Sequence, residues 1–139
     1  MNIFRSILNS LKSIPNVKIA KQITMSGLHE QLVLLNEDKT EFDFIGINSN
    51  KDDCLYFRKV SSNFNIEFEA IGNSQILYFE KIKNFAIRNN YSHTEETNNG
   101  IPYLIVKTNT NTEQTILLAR QIQNEIFGNN ENTVYDIVP

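Results

Sequence analysis

Covalent or metal chemistry in this chain would begin with one cysteine, Cys54, and two histidines, His29 and His93. A thiolate paired with an imidazole needs the thiol exposed and the ring within hydrogen-bond reach. Cys54 opens a run reading Cys-Leu-Tyr-Phe, in which a small apolar thiol suits a core. His93 lies between Ser92 and Thr94, where surface hydrogen bonding is its expected role. His29-Glu30 begins like the helix motif of zinc proteases, but Val33 stands where the second histidine is needed. A lone cysteine excludes both a disulfide framework and a thiolate zinc cage.

Oxygen chemistry fares no better. Asn48, Asn50 and Asp52 alternate as in a calcium loop, yet the sixth position is Asp53 rather than glycine and the twelfth is Lys59 rather than glutamate. Asp52-Asp53 and Glu95-Glu96 are adjacent pairs, which a strand would point to opposite faces. The glycines at 27, 46, 72, 100 and 128 are isolated, so no glycine-rich loop gathers amides around a phosphate. The expectation is a protein with no catalytic residues, no metal and no cofactor.

The 139 residues carry a net charge of −3, and 44 of them are Leu, Ile, Val or Phe, enough for one packed core. A single domain over 1–139 is expected. Residues 1–29 hold Arg5, Lys12, Lys18 and Lys21 and no acid, whereas the remainder is acidic, which speaks against a nucleic-acid partner. Apolar runs of at most four residues exclude a membrane span, and Asn9, Ser10 and Lys12 interrupt any signal-peptide core, so a cytoplasmic protein is expected.

The elements that would position a site follow from periodicity. Apolar residues at 3, 4, 7, 8, 11 and 14 predict an amphipathic helix ended by Pro15, docked on the core rather than on a membrane. Residues 17–28 fit a strand or a helix equally well. Four strands are expected at Gln31–Asn36, Glu41–Asn48, Asp53–Val60 and Phe64–Ile71, then a helix from an N-cap at Ser74 to about Arg88. Asn99-Gly100 between Tyr91–Thr97 and Ile101–Thr108 has the composition of a type I′ hairpin turn. Thr110 with Glu113 has capping-box spacing for a helix over 113–127 ending at Gly128, and Val134–Val138 offers a last strand. This order describes an α+β domain, an antiparallel meander with three helices packed on it.

Several strands are apolar on both faces. Phe42 and Phe44 oppose Ile45 and Ile47, Cys54 and Tyr56 oppose Leu55 and Phe57, and Ile101, Tyr103 and Ile105 oppose Leu104 and Val106. Either the helices cover both faces, or one face meets a second protomer or a polypeptide ligand. In the second case Phe42, Phe44, Tyr56 and Tyr103 are the candidate protein-binding residues, because aromatic side chains anchor interfaces.

The element order, with the closing segment Leu117-Leu118-Ala119-Arg120-Gln121-Ile122-Gln123-Asn124-Glu125-Ile126-Phe127-Gly128, resembles the small α+β chaperones of type III secretion and their YbjN-like relatives. The resemblance implies a cytoplasmic, often dimeric protein that binds an extended polypeptide without catalysis. Two further readings stand beside this one. One is a small acidic immunity-type protein that blocks a toxin through Glu67, Glu69, Glu95 and Glu96. The other is an enzyme or small-ligand binder that uses Cys54 or His93.

Overall fold

The computed structural model describes residues 22–138. The helix expected over 1–14 and residues 17–21 of the ambiguous segment 17–28 lie outside the described residues; the rest of that segment is a two-residue strand, Gln22–Ile23, followed by a 3-10 turn over Met25–Gly27. The chain is α+β, and its described residues form seven antiparallel strands in the order β1-β7-β2-β3-β4-β6-β5. They are β1 (Gln22–Ile23), β2 (Phe44–Asn48), β3 (Leu55–Val60), β4 (Asn63–Glu69), β5 (Ser92–Asn98), β6 (Ile101–Thr110) and β7 (Tyr135–Val138). Three helices join them, α1 (Leu28–Asn36), α2 (Asn73–Arg88) and α3 (Thr112–Gln121), the last running into a π-helical turn over Ile122–Ile126.

Residues Gln31–Asn36 are helical, not a strand. Leu28, Gln31, Leu32 and Leu35 are buried at i, i+3, i+4 and i+7, a helical stripe that begins before the apolar run Leu32-Val33-Leu34-Leu35. Reading that run alone hides the period, since Val33 and Leu34 fill the helix flank. Asp38 ends α1 at φ 57°, and the Lys39 amide donates to the Leu34 carbonyl at 2.9 Å, satisfying one of the helix's last acceptors.

Two helix starts also differ from expectation. Gly72, not Ser74, is the N-cap of α2. The Gln75 side chain reaches back to accept from the amides of Ile71 and Gly72, and Ser74 instead bonds Asp52. Asn111, not Thr110, caps α3 by accepting from the Gln114 amide at 2.9 Å. Thr110 is buried and bonds Thr115.

The hairpin forms where expected, with Asn99 at φ 52° and Gly100 at φ 81°, as a type I′ turn requires. β7 adds to β2 and also pairs with β1, so it lies between them.

One core holds the molecule together, and its strand residues share one parity. Ile45, Ile47, Leu55, Phe57, Ile66, Phe68, Leu104, Val106 and Tyr135 are buried with Leu32 and Leu35 of α1, Phe79, Ile82 and Phe85 of α2, and Ile116 and Ala119 of α3. The three helices among the described residues therefore pack on the same face of the sheet, and none of them covers the other.

Candidate functional site

The face that none of the described helices covers carries the opposite parity. Along β3 and β4, Tyr56 pairs with Glu67 and Arg58 with Asn65; along β2, Phe44 pairs with Arg58 and Gly46 with Tyr56; along β6, Tyr103 pairs with Glu69 and Ile105 with Glu67. Phe42, Phe44, Tyr56 and Tyr103 all lie on this one face. The sequence supplies their alternation, while register brings them side by side.

Phe42 stacks on Phe44 with centroids 5.4 Å apart, and Phe44 meets the Tyr56 ring edge-on at 5.9 Å. Gly46 makes room for Tyr56. A Cβ there would lie 2.8 Å from the tyrosine ring and 3.2 Å from Val138, so glycine lets the ring cross β2. Phe42 keeps 36% of its surface exposed, while Phe44, Tyr56, Tyr103 and Ile105 are half-buried.

At the centre lies an ion pair that sequence reasoning missed. Glu67, only 2% exposed, accepts from Arg58 Nε at 2.8 Å and from the Tyr103 hydroxyl. Arg58 Nη1 also donates to Asp43 at 2.8 Å, and its guanidinium sits 4.8 Å from the centre of the Phe44 ring. Cation, carboxylate and phenol satisfy one another, which is what allows charge on an apolar face. The signal was present as Arg58 and Glu67 at outward positions of adjacent strands, but only register makes them partners.

The electrostatics follow from this packing. The hydrogen bond to Glu67 holds the Arg58 guanidinium more firmly protonated than usual. Burial, followed by the Glu67 carboxylate, pushes the Tyr103 hydroxyl up to about 12. Burial also raises Tyr56 above the ordinary tyrosine range and pushes the Cys54 thiol up to about 11, although a hydrogen bond from Tyr56 partly offsets the latter. A thiol held protonated is a poor nucleophile at neutral pH.

Cys54 and the histidines are not brought together. Cys54 lies beside Tyr56, His93 pairs with Val106 on β5, three strands away, and His29 on α1 faces Glu113 at 3.6 Å. Among the described residues no group of three His, Cys, Asp or Glu side chains is arranged to hold a metal.

The acidic residues do not form one surface. Glu67 is consumed by Arg58, Glu95 pairs with Lys83 of α2 at 3.4 Å, and Glu69 and Glu96 flank Tyr103 on the open face. Asp53, within the turn considered for calcium, is fully buried. Its carboxylate accepts from the amides of Ser49 and Asn50 at 2.8 and 3.0 Å and from Asn129 Nδ2 at 2.8 Å, so its oxygens already have protein donors. An open cleft of about 610 Å³ lies apart from this face, lined by Lys81, Asn84, Ile87 and Arg88 of α2 and Glu125 and Ile126 of the π-helical turn.

Among the described residues no helix is long and apolar enough to cross a membrane. Comparison with protein-family models, with curated proteins and with solved structures found no match to this chain.

Proposed function

We propose that the protein is a non-enzymatic protein-binding module, chaperone-like in its element order, that docks a polypeptide on the open face of its sheet. The observation that carries the reading is the gathering of Phe42, Phe44, Tyr56 and Tyr103 on a face that none of the three described helices covers. Rigid aromatics with polar tips contribute contact area at low entropic cost, and the Arg58–Glu67–Tyr103 cluster fixes their orientation. The raised Cys54 thiol and the separated histidines support binding rather than covalent catalysis.

A stable interface buries roughly 1,200–2,000 Å² in total, about half of it on each partner. The test combines a peptide array with light scattering. Tyr56→Ala and Tyr103→Ala are expected to weaken association by about 1–3 kcal/mol with a smaller loss of folding stability. A chain that stays monomeric at high concentration and retains no peptide would refute the reading. Cys54→Ser and His93→Ala are expected to leave binding intact.

A further inference from the structure

Register sorts the side chains of the face that no described helix covers into rows that cross the strands. The middle row runs Val138, Gly46, Tyr56, Glu67, Ile105 and Thr94, each paired with the next across β7, β2, β3, β4, β6 and β5. Two residues along the strands to one side, Asp136 stands opposite Asn48, and Glu69 and Glu96 stand on either side of Tyr103. Two residues to the other side, Arg58 lies between Phe44 and Asn65, and Lys107 lies opposite Ser92. One margin is acidic and the other carries the cations.

The cations do not balance the acids. Arg58 is shared between Glu67 and Asp43, which leaves Lys107 as the other cation of the face. Glu69, Glu96 and Asp136 have no cation within ion-pair distance among the described residues. Glu96 and Asp136 are exposed and Glu69 is half-buried. After burial, the Glu69 carboxylate is among the groups that hold the protons of Cys54 and Tyr56 in place, so its charge reaches the aromatic row.

The occupant of such a face is chosen by charge. A polyanion meets repulsion along the acidic row. A second copy brings three more carboxylates without partners and one more lysine, so a two-fold contact between two such faces encloses a surplus of acid. Glu69 and Glu96 stand two strand spacings apart, about 10 Å, and Asp136 stands three spacings, about 14 Å, from Glu69. Among the described residues these carboxylates belong to no group arranged to hold a metal. Cations spread along a chain match them instead. Side chains about 10 Å apart are three residues apart in an extended polypeptide and seven apart in a helix.

We propose that the polypeptide docked on this face is a basic segment of another protein, with cationic side chains over the row Glu69, Glu96 and Asp136 and apolar ones against Phe44, Tyr56 and Ile105. This rests on the protein-binding reading and names the chemistry of its partner. The two rows then have separate duties. Charges at a margin speed approach and make it salt-dependent, whereas desolvated aromatic contacts slow departure.

Stopped-flow fluorescence of the full chain with a labelled peptide, Lys alternating with Leu and Tyr, separates these duties. A second peptide carries Glu for every Lys. The proteins are the parent, Glu69→Gln/Glu96→Gln, Tyr56→Ala, and Glu30→Gln/Glu125→Gln, which loses the same charge from exposed positions on the helical side; melting verifies that each is folded. The row variant is expected to bind the basic peptide about five- to tenfold more slowly, with dissociation changed less than about twofold. That difference disappears at about 1 M salt, where the screening length is about 3 Å. Tyr56→Ala is expected to speed dissociation instead, and Glu30→Gln/Glu125→Gln to stay within about twofold of the parent.

Equal slowing of the row variant and the helical-side variant overturns the proposal, because the attraction is then to net charge alone. Equal binding of both peptides, or a row variant that behaves as the parent while Tyr56→Ala still weakens binding, also overturns it and leaves the protein-binding reading standing. A dimer in sedimentation that Tyr56→Ala dissociates assigns the face to a second copy, with the same consequence. Binding of neither peptide, with none retained on an array and a chain that stays monomeric, removes both.

Discussion

Replacing Arg58 with Met probes the centre of the open face most directly. The change leaves the Glu67 carboxylate, 2% exposed, with the Tyr103 hydroxyl as its remaining side-chain donor, and it removes the cation over Phe44. Breaking a fully buried pair costs about 3–5 kcal/mol, whereas exposed pairs are worth about 0–1 kcal/mol. The Arg58 side chain is 33% exposed, so water replaces part of the guanidinium. Loss of the cation–π contact adds about 0.5–1 kcal/mol, and the expected sum is about 2–3 kcal/mol. In a chain of this size that lowers Tm by about 6–10 °C. Glu67→Gln keeps the shape of the site and leaves Arg58 its bond to Asp43, so a smaller loss of about 1 kcal/mol is expected. The double variant Arg58→Met/Glu67→Gln removes both charges and is expected to recover most of the loss, leaving about 1 kcal/mol. Urea melts of the four proteins measure the coupling, expected at about 2–3 kcal/mol. Single variants that lose nothing, with additive behaviour in the double, would show that the cluster is solvated and that the face is not organised around it.

Gly100→Val places a β-branched residue at φ 81° and is expected to cost about 1–3 kcal/mol in chemical denaturation, through strain alone because no atom lies within 4 Å of the new Cβ. Gly46→Ala is expected to displace the Tyr56 ring from β2, visible as a shift of the Tyr56 aromatic resonances in NMR with smaller changes elsewhere. Asp53→Ala frees two backbone amides and Asn129 and should cost about 2–4 kcal/mol by thermal melting. Cys54, Tyr56, Tyr103 and Tyr135 all hold their protons more tightly in the fold than in the open chain. Their contribution is complete below the ordinary ionisation range and disappears as pH rises through the folded values, so stability should fall from about pH 9 to 12. Tyr103→Phe and Tyr135→Phe should flatten that fall in pH-dependent melts.

Local chemistry made much of the fold readable. Asn99-Gly100 demanded its turn, and the alternation Phe64, Ile66, Phe68 marked the inward side of β4. The misreading at Gln31–Asn36 shows the limit, because four consecutive apolar residues carry no period until Leu28 is included. The candidate site was legible as residue types on outward positions: Phe42, Phe44, Tyr56 and Tyr103 were named from alternation alone. Their contacts were not, since the adjacency of Phe44 with Tyr56 and of Arg58 with Glu67 depends on how two strands slide past each other. Asp53 was hidden for a different reason, as its donor Asn129 comes from a loop 76 residues further along the chain.

The place of β7 has a consequence for biosynthesis. β1 is held to the sheet through β7, and Gln22 meets Asp136 across a sequence separation of 114 residues. While the chain emerges from the ribosome, β2, β3 and β4 can pair as they appear, and the β5–β6 hairpin can close and join β4. Ile23 has no strand neighbour until Tyr135 is released, so β1 and the outer edge of β2 wait as open edges through nearly the whole of translation. Strand pairing over so long a loop is slow, and an unpaired edge is where a nascent chain associates wrongly. Interrupting synthesis shortly before Tyr135 would therefore yield a species with most of its meander formed and two strand edges still exposed.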